Sequence, residues 1–174
     1  MSRLAITATA LALAGCASNA PQPERQYPAA PAVRETPASA ATYVAQAASI
    51  DLFVVRSSEL ANLRSVTPAI RQYADRMIAD HRGLGSQLSL AGRRLDLLPS
   101  ASLLPQHQAM LDELAASATF EAAYLRLQRQ VHGQGLQLHG NYAARGASAT
   151  LRPVAANAAQ VERRHLEMLR NLRP

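Results

Sequence analysis

A chain of 174 residues is long enough for one domain with its own core. Its apolar content is 48%, yet it holds only two Phe, five Tyr and no Trp; such a core of Leu, Ala, Val and Met suits packed helices better than a β-sandwich. The net charge of +6 rests on 18 arginines and no lysine, so the chain stays cationic at any ordinary pH, and its single cysteine excludes an internal disulfide.

The chain opens "MSRLAITATALALAGCAS". Arg3 supplies a short positive region, and the apolar run from Leu4 to Ala14 is too short for a bilayer span, which needs about 20 residues. This is the layout of a secretory signal over residues 1–15. The Leu13-Ala14-Gly15-Cys16 ending resembles the bacterial lipobox, which implies that Cys16 is acylated and becomes the mature N-terminus. Ala17, where an aspartate would signal retention, resembles the outer-membrane sorting pattern. The expected location is the bacterial cell envelope, as an outer-membrane lipoprotein facing the periplasm. Residues 16–41 follow as a spacer: five of the ten prolines (Pro21, Pro23, Pro28, Pro31, Pro37) fall here, and Pro-rich chain is extended and semi-rigid.

Residues 42–174 read as all-α, an up-down four-helix bundle. The first helix runs from about Thr42 to Arg64, with Tyr43, Ala47, Ile50, Val54, Ser57 and Ala61 on one seam. Thr67 caps the second, Pro68 opens it, and Pro99 stops it near Leu98. "SLLPQHQAMLDELAAS" is a short helix leading into the third. The third keeps Phe120, Tyr124, Leu127, Val131, Leu138 and Tyr142 on one face and ends at Gly146. Ser148 or Thr150 caps the fourth, whose seam is Leu151, Val154, Ala158, Val161, His165, Met168 and Leu172. Spacings alternating three and four, with short loops, predict antiparallel neighbours packed at shallow angles.

Three histidines interrupt these seams: His81, His132 and His165, one on each of the last three helices. In an up-down order, Pro68, Gly146 and Leu151 mark one end of the bundle. The three imidazoles then lie at a common depth about 20 Å below it, at 1.5 Å rise per residue. Met77 and Met168 lie one turn or less from His81 and His165 and can share their faces. Gly83, Gly85, Gly133 and Gly135 follow two of these histidines; each glycine inside a helix costs about 1 kcal/mol, which points to a close crossing or to reserved space. The ordinary reading of such histidines takes precedence: core polar groups satisfied by Asp80, Tyr124, Gln128 or Asn157. Otherwise they form a metal site with Met77, Met168 and Glu162. Glu162-x-x-His165 is one half of a di-iron pattern, but Ile78 occupies the matching position before His81, which disfavours di-iron; histidine with thioether sulfur favours soft ions, copper(I) foremost. His139 lies about 10 Å along the axis from His132, too far to share its ion. His107 reads as a surface residue.

No nucleophile with a base, phosphate loop or paired cysteine appears, so an enzyme is not the expected reading. Nucleic acid is not an expected partner, because the arginines lack interleaved aromatics and the leader exports the chain. Arg93, Arg94, Arg170 and Arg173 sit near helix C-termini, where they complement the helix dipole; grouped at the tethered end they would also face anionic headgroups, alongside the lipid on Cys16.

The stretches "AASIDLF…SSELANLRS", "YADRMIADHRG", "FEAAYLRLQRQVHGQGLQLHGNYA" and "ERRHLEML" resemble the bacterial family catalogued as domain of unknown function 4142, over about Tyr43 to Leu172. The resemblance implies a ferritin-like bundle in the envelope with no settled activity. It places Asp80 in the Met-x-x-Asp-His stretch, His81, His132, His139 and His165 on recurrent histidines, and Glu121 on the acidic position after phenylalanine. The chain departs from the family in having Val54 where an acid is common on the first helix, and glycines after His81 and His132. The sequence therefore reads as an envelope-tethered, non-enzymatic binding or interaction module, with transition-metal handling as the alternative.

Overall fold

The structure, a computed structural model, describes residues 38–174; the leader, Cys16 and most of the spacer lie outside the described residues. Five helices follow one another: α1 (Ala40–Arg64), α2 (Pro68–Arg93), α3 (Pro105–Ala116), α4 (Phe120–Arg145) and α5 (Arg152–Leu169). Among the described residues there is no strand, and no helix is long and apolar enough to cross a membrane.

The long helices form where the apolar seams run. Every seam residue named for the first helix is buried in α1. The side chain of Ser39 accepts the N–H of Thr42 and starts α1 two residues before the expected point. Pro68 opens α2 after Thr67, whose hydroxyl donates to Glu121 Oε2 (2.8 Å) in place of capping its own helix.

The ends of α2 and α4 correct two sequence expectations. Helix α2 stops at Arg93, well before Pro99. The Leu97 N–H bonds back to the Gly92 carbonyl (3.0 Å), and Asp96 takes φ 55°, a left-handed conformation that a short polar side chain tolerates. A Cβ at residue 92 would collide with the Leu97 carbonyl oxygen, so glycine is what lets the chain fold over its own last turn. Gly146 does end α4, but with φ −61° it is not a left-handed cap. The Tyr142 ring fills the space a Cβ would need. For α5, the Ser148 carbonyl takes the N–H groups of Leu151 and Arg152, and no side chain caps the helix.

Helix α3 is part of the core. His107, expected at the surface, is 3% exposed. Ser49 Oγ accepts the Leu104 N–H (2.8 Å) and donates to His107 Nδ1 (2.7 Å), pinning the start of α3 to α1.

The bundle class stands as expected, and the connectivity refines it. Helices α1 and α2 form one antiparallel hairpin, α4 and α5 another. Between them, residues 94–119 carry the chain back to the far end of the bundle. Thus the start of α4 meets the α1–α2 loop, where Glu121 accepts the N–H of Val66 (2.9 Å) and of Thr67 (2.9 Å) and the hydroxyl of Ser65. The end of α4 meets the start of α1, with Tyr43 stacked on Tyr142 at 3.9 Å. Among the four long helices every lateral neighbour is antiparallel, and the crossover joins two diagonal helices. The order is therefore not strictly alternating. It follows that Arg93 and Arg94 lie at the end where the chain enters the bundle, while Arg170 and Arg173 lie at the other. The four exposed arginines do not form one face, which corrects the grouping read from the sequence.

Candidate metal centre

His81, His132 and His165 come from α2, α4 and α5, and each is 0–1% exposed. Their ring centroids are 5.1, 5.2 and 5.3 Å apart, so the three imidazoles share one level. The expected depth held although the expected helix order did not. His81 and His132 stand near the middle of 26-residue helices, and reversing such a helix leaves its midpoint in place.

Each ring is held by its outer nitrogen. His132 Nδ1 donates to the Gln128 carbonyl (2.7 Å), which can only accept. His165 Nε2 donates to Asp80 Oδ2 (2.9 Å), a carboxylate that also takes Arg76 (2.7 Å). His81 Nδ1 donates to Asp51 Oδ1 (2.9 Å). These partners place the protons outward, so the inner nitrogens are bare: His132 Nε2 and His165 Nδ1 face each other at 3.2 Å. One proton can bridge that pair. His81 Nε2 and both oxygens of Glu162 then remain buried with no hydrogen-bond partner among the described residues. Glu162 is 0% exposed, with Oε2 3.8 Å from His132 Nε2. Unmet buried polar atoms cost about 1–3 kcal/mol each, more when charged, and three converging on one point need a common partner.

Electrostatics concentrate here. Burial pushes Glu162 up to about 8, against the pull of His81 and with the charge of Asp51. Burial lowers His165 to about 4, the neighbouring His81 adding to it and Asp80 opposing. His132 is held well below the usual histidine range by burial and by the two imidazoles beside it. For His81, burial disfavours the charge, but the Asp51 hydrogen bond and the carboxylates of Glu162, Asp51 and Asp80 outweigh it and raise the pKa.

The donor set fits a metal ion. One atom from each of His81, His132, Glu162 and His165 lies within 4.8 Å of the other three. Four ligands at tetrahedral zinc-type bond lengths are separated by about 3.3 Å, so a modest contraction would suffice. The outer partners of all three histidines, carboxylate or carbonyl, are those that orient metal-binding imidazoles. Gly135 completes the arrangement: a Cβ there would lie 2.6 Å from Glu162 Oε1 and 2.8 Å from Cδ, so only glycine leaves room for the carboxylate. Of the other glycines beside these histidines, Gly83 and Gly133 have nothing within 4 Å and mark no crossing, and Gly85 has only Asp51 Oδ2 at 3.8 Å.

The remaining sequence candidates fall elsewhere. Met168 is 41% exposed while His165 and Leu169 on either side point inward, so it does not share the histidine face; one step of three residues turns it to the rim. Met77 is fully buried in the apolar core with Ile50, Phe53 and Val54. Tyr124 bonds Ser58, and Asn157 bonds Gln87, so of the suggested polar partners only Asp80 and the Gln128 backbone serve the histidines. Glu121 pins the α1–α2 loop. His139 is buried one helical turn beyond Gly135, its Nε2 3.8 Å from Glu162 Oε1, outside the four-ligand group. Asp51 is not among the residues the sequence singles out: the family resemblance points to an acid at Val54, whereas the acid one turn earlier is the one that reaches His81. The Asp51-x-x-Val54 spacing was a usable signal.

The fold is similar to that of a solved structure described as "CopM in the Cu(II)-bound form", with a TM-score of 0.66 at 13% identity, covering 78% of this chain and 95% of that one. No curated protein matches the sequence. The model of the family described as "Domain of unknown function (DUF4142)" matches residues 23–172, so the chain belongs to that family.

Proposed function

We propose that the bundle binds a single divalent transition-metal ion, with His81 Nε2, His132 Nε2, His165 Nδ1 and a Glu162 oxygen as ligands. The observation that carries this reading is the convergence of three outward-protonated imidazoles on a fully buried carboxylate without a hydrogen-bond partner among the described residues. Three nitrogens and one oxygen, with no sulfur among them, favour copper(II) or zinc(II) over copper(I), and copper(II) stands first in the general affinity order. The copper(II)-bound state of the similar fold supports the same choice. Four protein ligands close the coordination shell, which suits holding an ion better than activating a water on it. The single carboxylate in the group speaks against a di-iron centre. The chain would do this in the envelope: the leader and lipobox-like segment support an outer-membrane lipoprotein anchored through Cys16, with the Pro-rich spacer holding the bundle clear of the surface.

Metal analysis of protein purified without chelator, followed by competition titration with copper(II) and zinc(II), tests the site. One ion per chain with a dissociation constant below micromolar is expected, and none in the His81→Ala/His132→Ala/His165→Ala variant. Equal binding by wild type and that variant would remove the proposal.

A further inference from the structure

His139 is the one buried histidine near the centre that faces it with the opposite polarity. It is 2% exposed, and its Nδ1 lies 3.0 Å from the Tyr43 hydroxyl. Tyr43 is itself 1% exposed and fixed by stacking on Tyr142. Its hydroxyl has no other hydrogen bond among the described residues, so its proton goes to His139 Nδ1. The ring must then carry its own proton on Nε2. That N–H points at Glu162 Oε1, 3.8 Å away, and neither atom has a hydrogen-bond partner among the described residues. A rotation of the carboxylate closes the gap of about 0.8 Å to hydrogen-bond distance. The cavity beside His139, about 10 Å³, admits at most one water and leaves no space for a second ion with its own shell. The three ligand histidines, in contrast, spend their N–H groups outward and turn bare nitrogens inward.

We infer that Tyr43 and His139 form a positioning relay: the tyrosine hydroxyl sets the His139 tautomer, and His139 Nε2–H holds Glu162 Oε1 so that Oε2 faces the three ligand imidazoles. This rests on the metal-binding reading above, but half of its test does not need an ion. Gly135, one turn before His139, makes the relay possible by clearing the space that Oε1 occupies.

Long-range nitrogen–proton NMR on the ion-free full chain is expected to show His139 protonated on Nε2, with a resonance that moves in Glu162→Leu. Protonation on Nδ1, or a resonance indifferent to Glu162, would overturn the relay even if ions bind. Copper(II) and zinc(II) titrations supply the second half. His139→Ala should weaken binding about 10–100-fold, whereas His139→Gln, whose amide N–H takes the place of Nε2–H, should stay within a few-fold of wild type. Copper(II) electron paramagnetic resonance should keep its three-nitrogen pattern in His139→Ala and change only the signature of the oxygen ligand. If both variants bind like wild type, Glu162 needs no positioning and the inference fails. If wild type binds no ion, the proposed function fails, and the tautomer result alone decides the relay.

Discussion

Two glycines two residues apart on α4, Gly133 and Gly135, have opposite meanings. Gly133 is exposed with open space around its missing Cβ, and nothing in the structure explains it. Gly133→Ala should therefore stabilise the fold by about 0.5–1 kcal/mol, measured by urea denaturation, because a helix interior gains from alanine. Gly135→Ala gains the same propensity but drives a methyl into Glu162, which is fully buried and has no solvent to move into. Its expected signature is a loss of ion affinity of at least 10-fold with the helical signal intact; unchanged affinity would show that Glu162 is not a ligand. Asp80 and Asp51 act through the rings they hold. Asp80→Asn, measured by competition titration, should weaken ion binding about 10–100-fold without unfolding the chain.

Individual elements are joined by buried polar pins as much as by apolar seams. Helix α3 is tied to α1 through the Ser49–His107 pair, so His107→Leu should destabilise by about 1–3 kcal/mol in chemical denaturation, because the buried Ser49 hydroxyl loses its acceptor. At the other end, Glu121 is held down to about 2, first by the Ser65 hydroxyl and then by Thr67 and Val66 donors that outweigh partial burial. Its folded pKa lies below its unfolded value, near 4.3 in free chain. The stabilisation it gives is therefore complete above that value and is lost as pH falls from about 4.3 towards 2. Glu121→Gln should flatten the stability–pH curve in that window and leave the slope near neutrality unchanged; an unaltered acid limb would mean the loop pin contributes nothing.

At the scale of the whole molecule, the proposed ion would join α2 of one hairpin to α4 and α5 of the other. Anything that binds only the folded state stabilises by mass action, about 2.7 kcal/mol at a hundredfold excess over the dissociation constant. Saturating copper(II) or zinc(II) should thus raise the Tm by several degrees, reversibly with chelator, and do nothing for the triple His→Ala variant. Cell fractionation tests the proposed anchor: if Cys16 carries lipid, Cys16→Ser should move the protein from the membrane to the soluble fraction.

Periodicity alone determined a great deal: the helical class, the seams, the approximate ends of the long helices and the burial of three level histidines. These follow from local repeat and rise, which are encoded within each segment. The partners of the histidines were only partly legible, since Asp80 was named but Asp51, Tyr43 and the Glu162 environment meet their histidines across helices distant in sequence. Strict alternation of up and down is the expectation for the helix order, and the tertiary structure decides otherwise, because the crossover through α3 depends on where His107, Met110 and Leu114 become buried, His107 against Ser49 of α1. The same holds for the methionines: spacing put Met168 within reach of His165, and only packing showed which side of α5 the neighbouring helices cover. A sequence carries its periods within each helix, but which helix lies against which is settled by the total surface that all of them bury together.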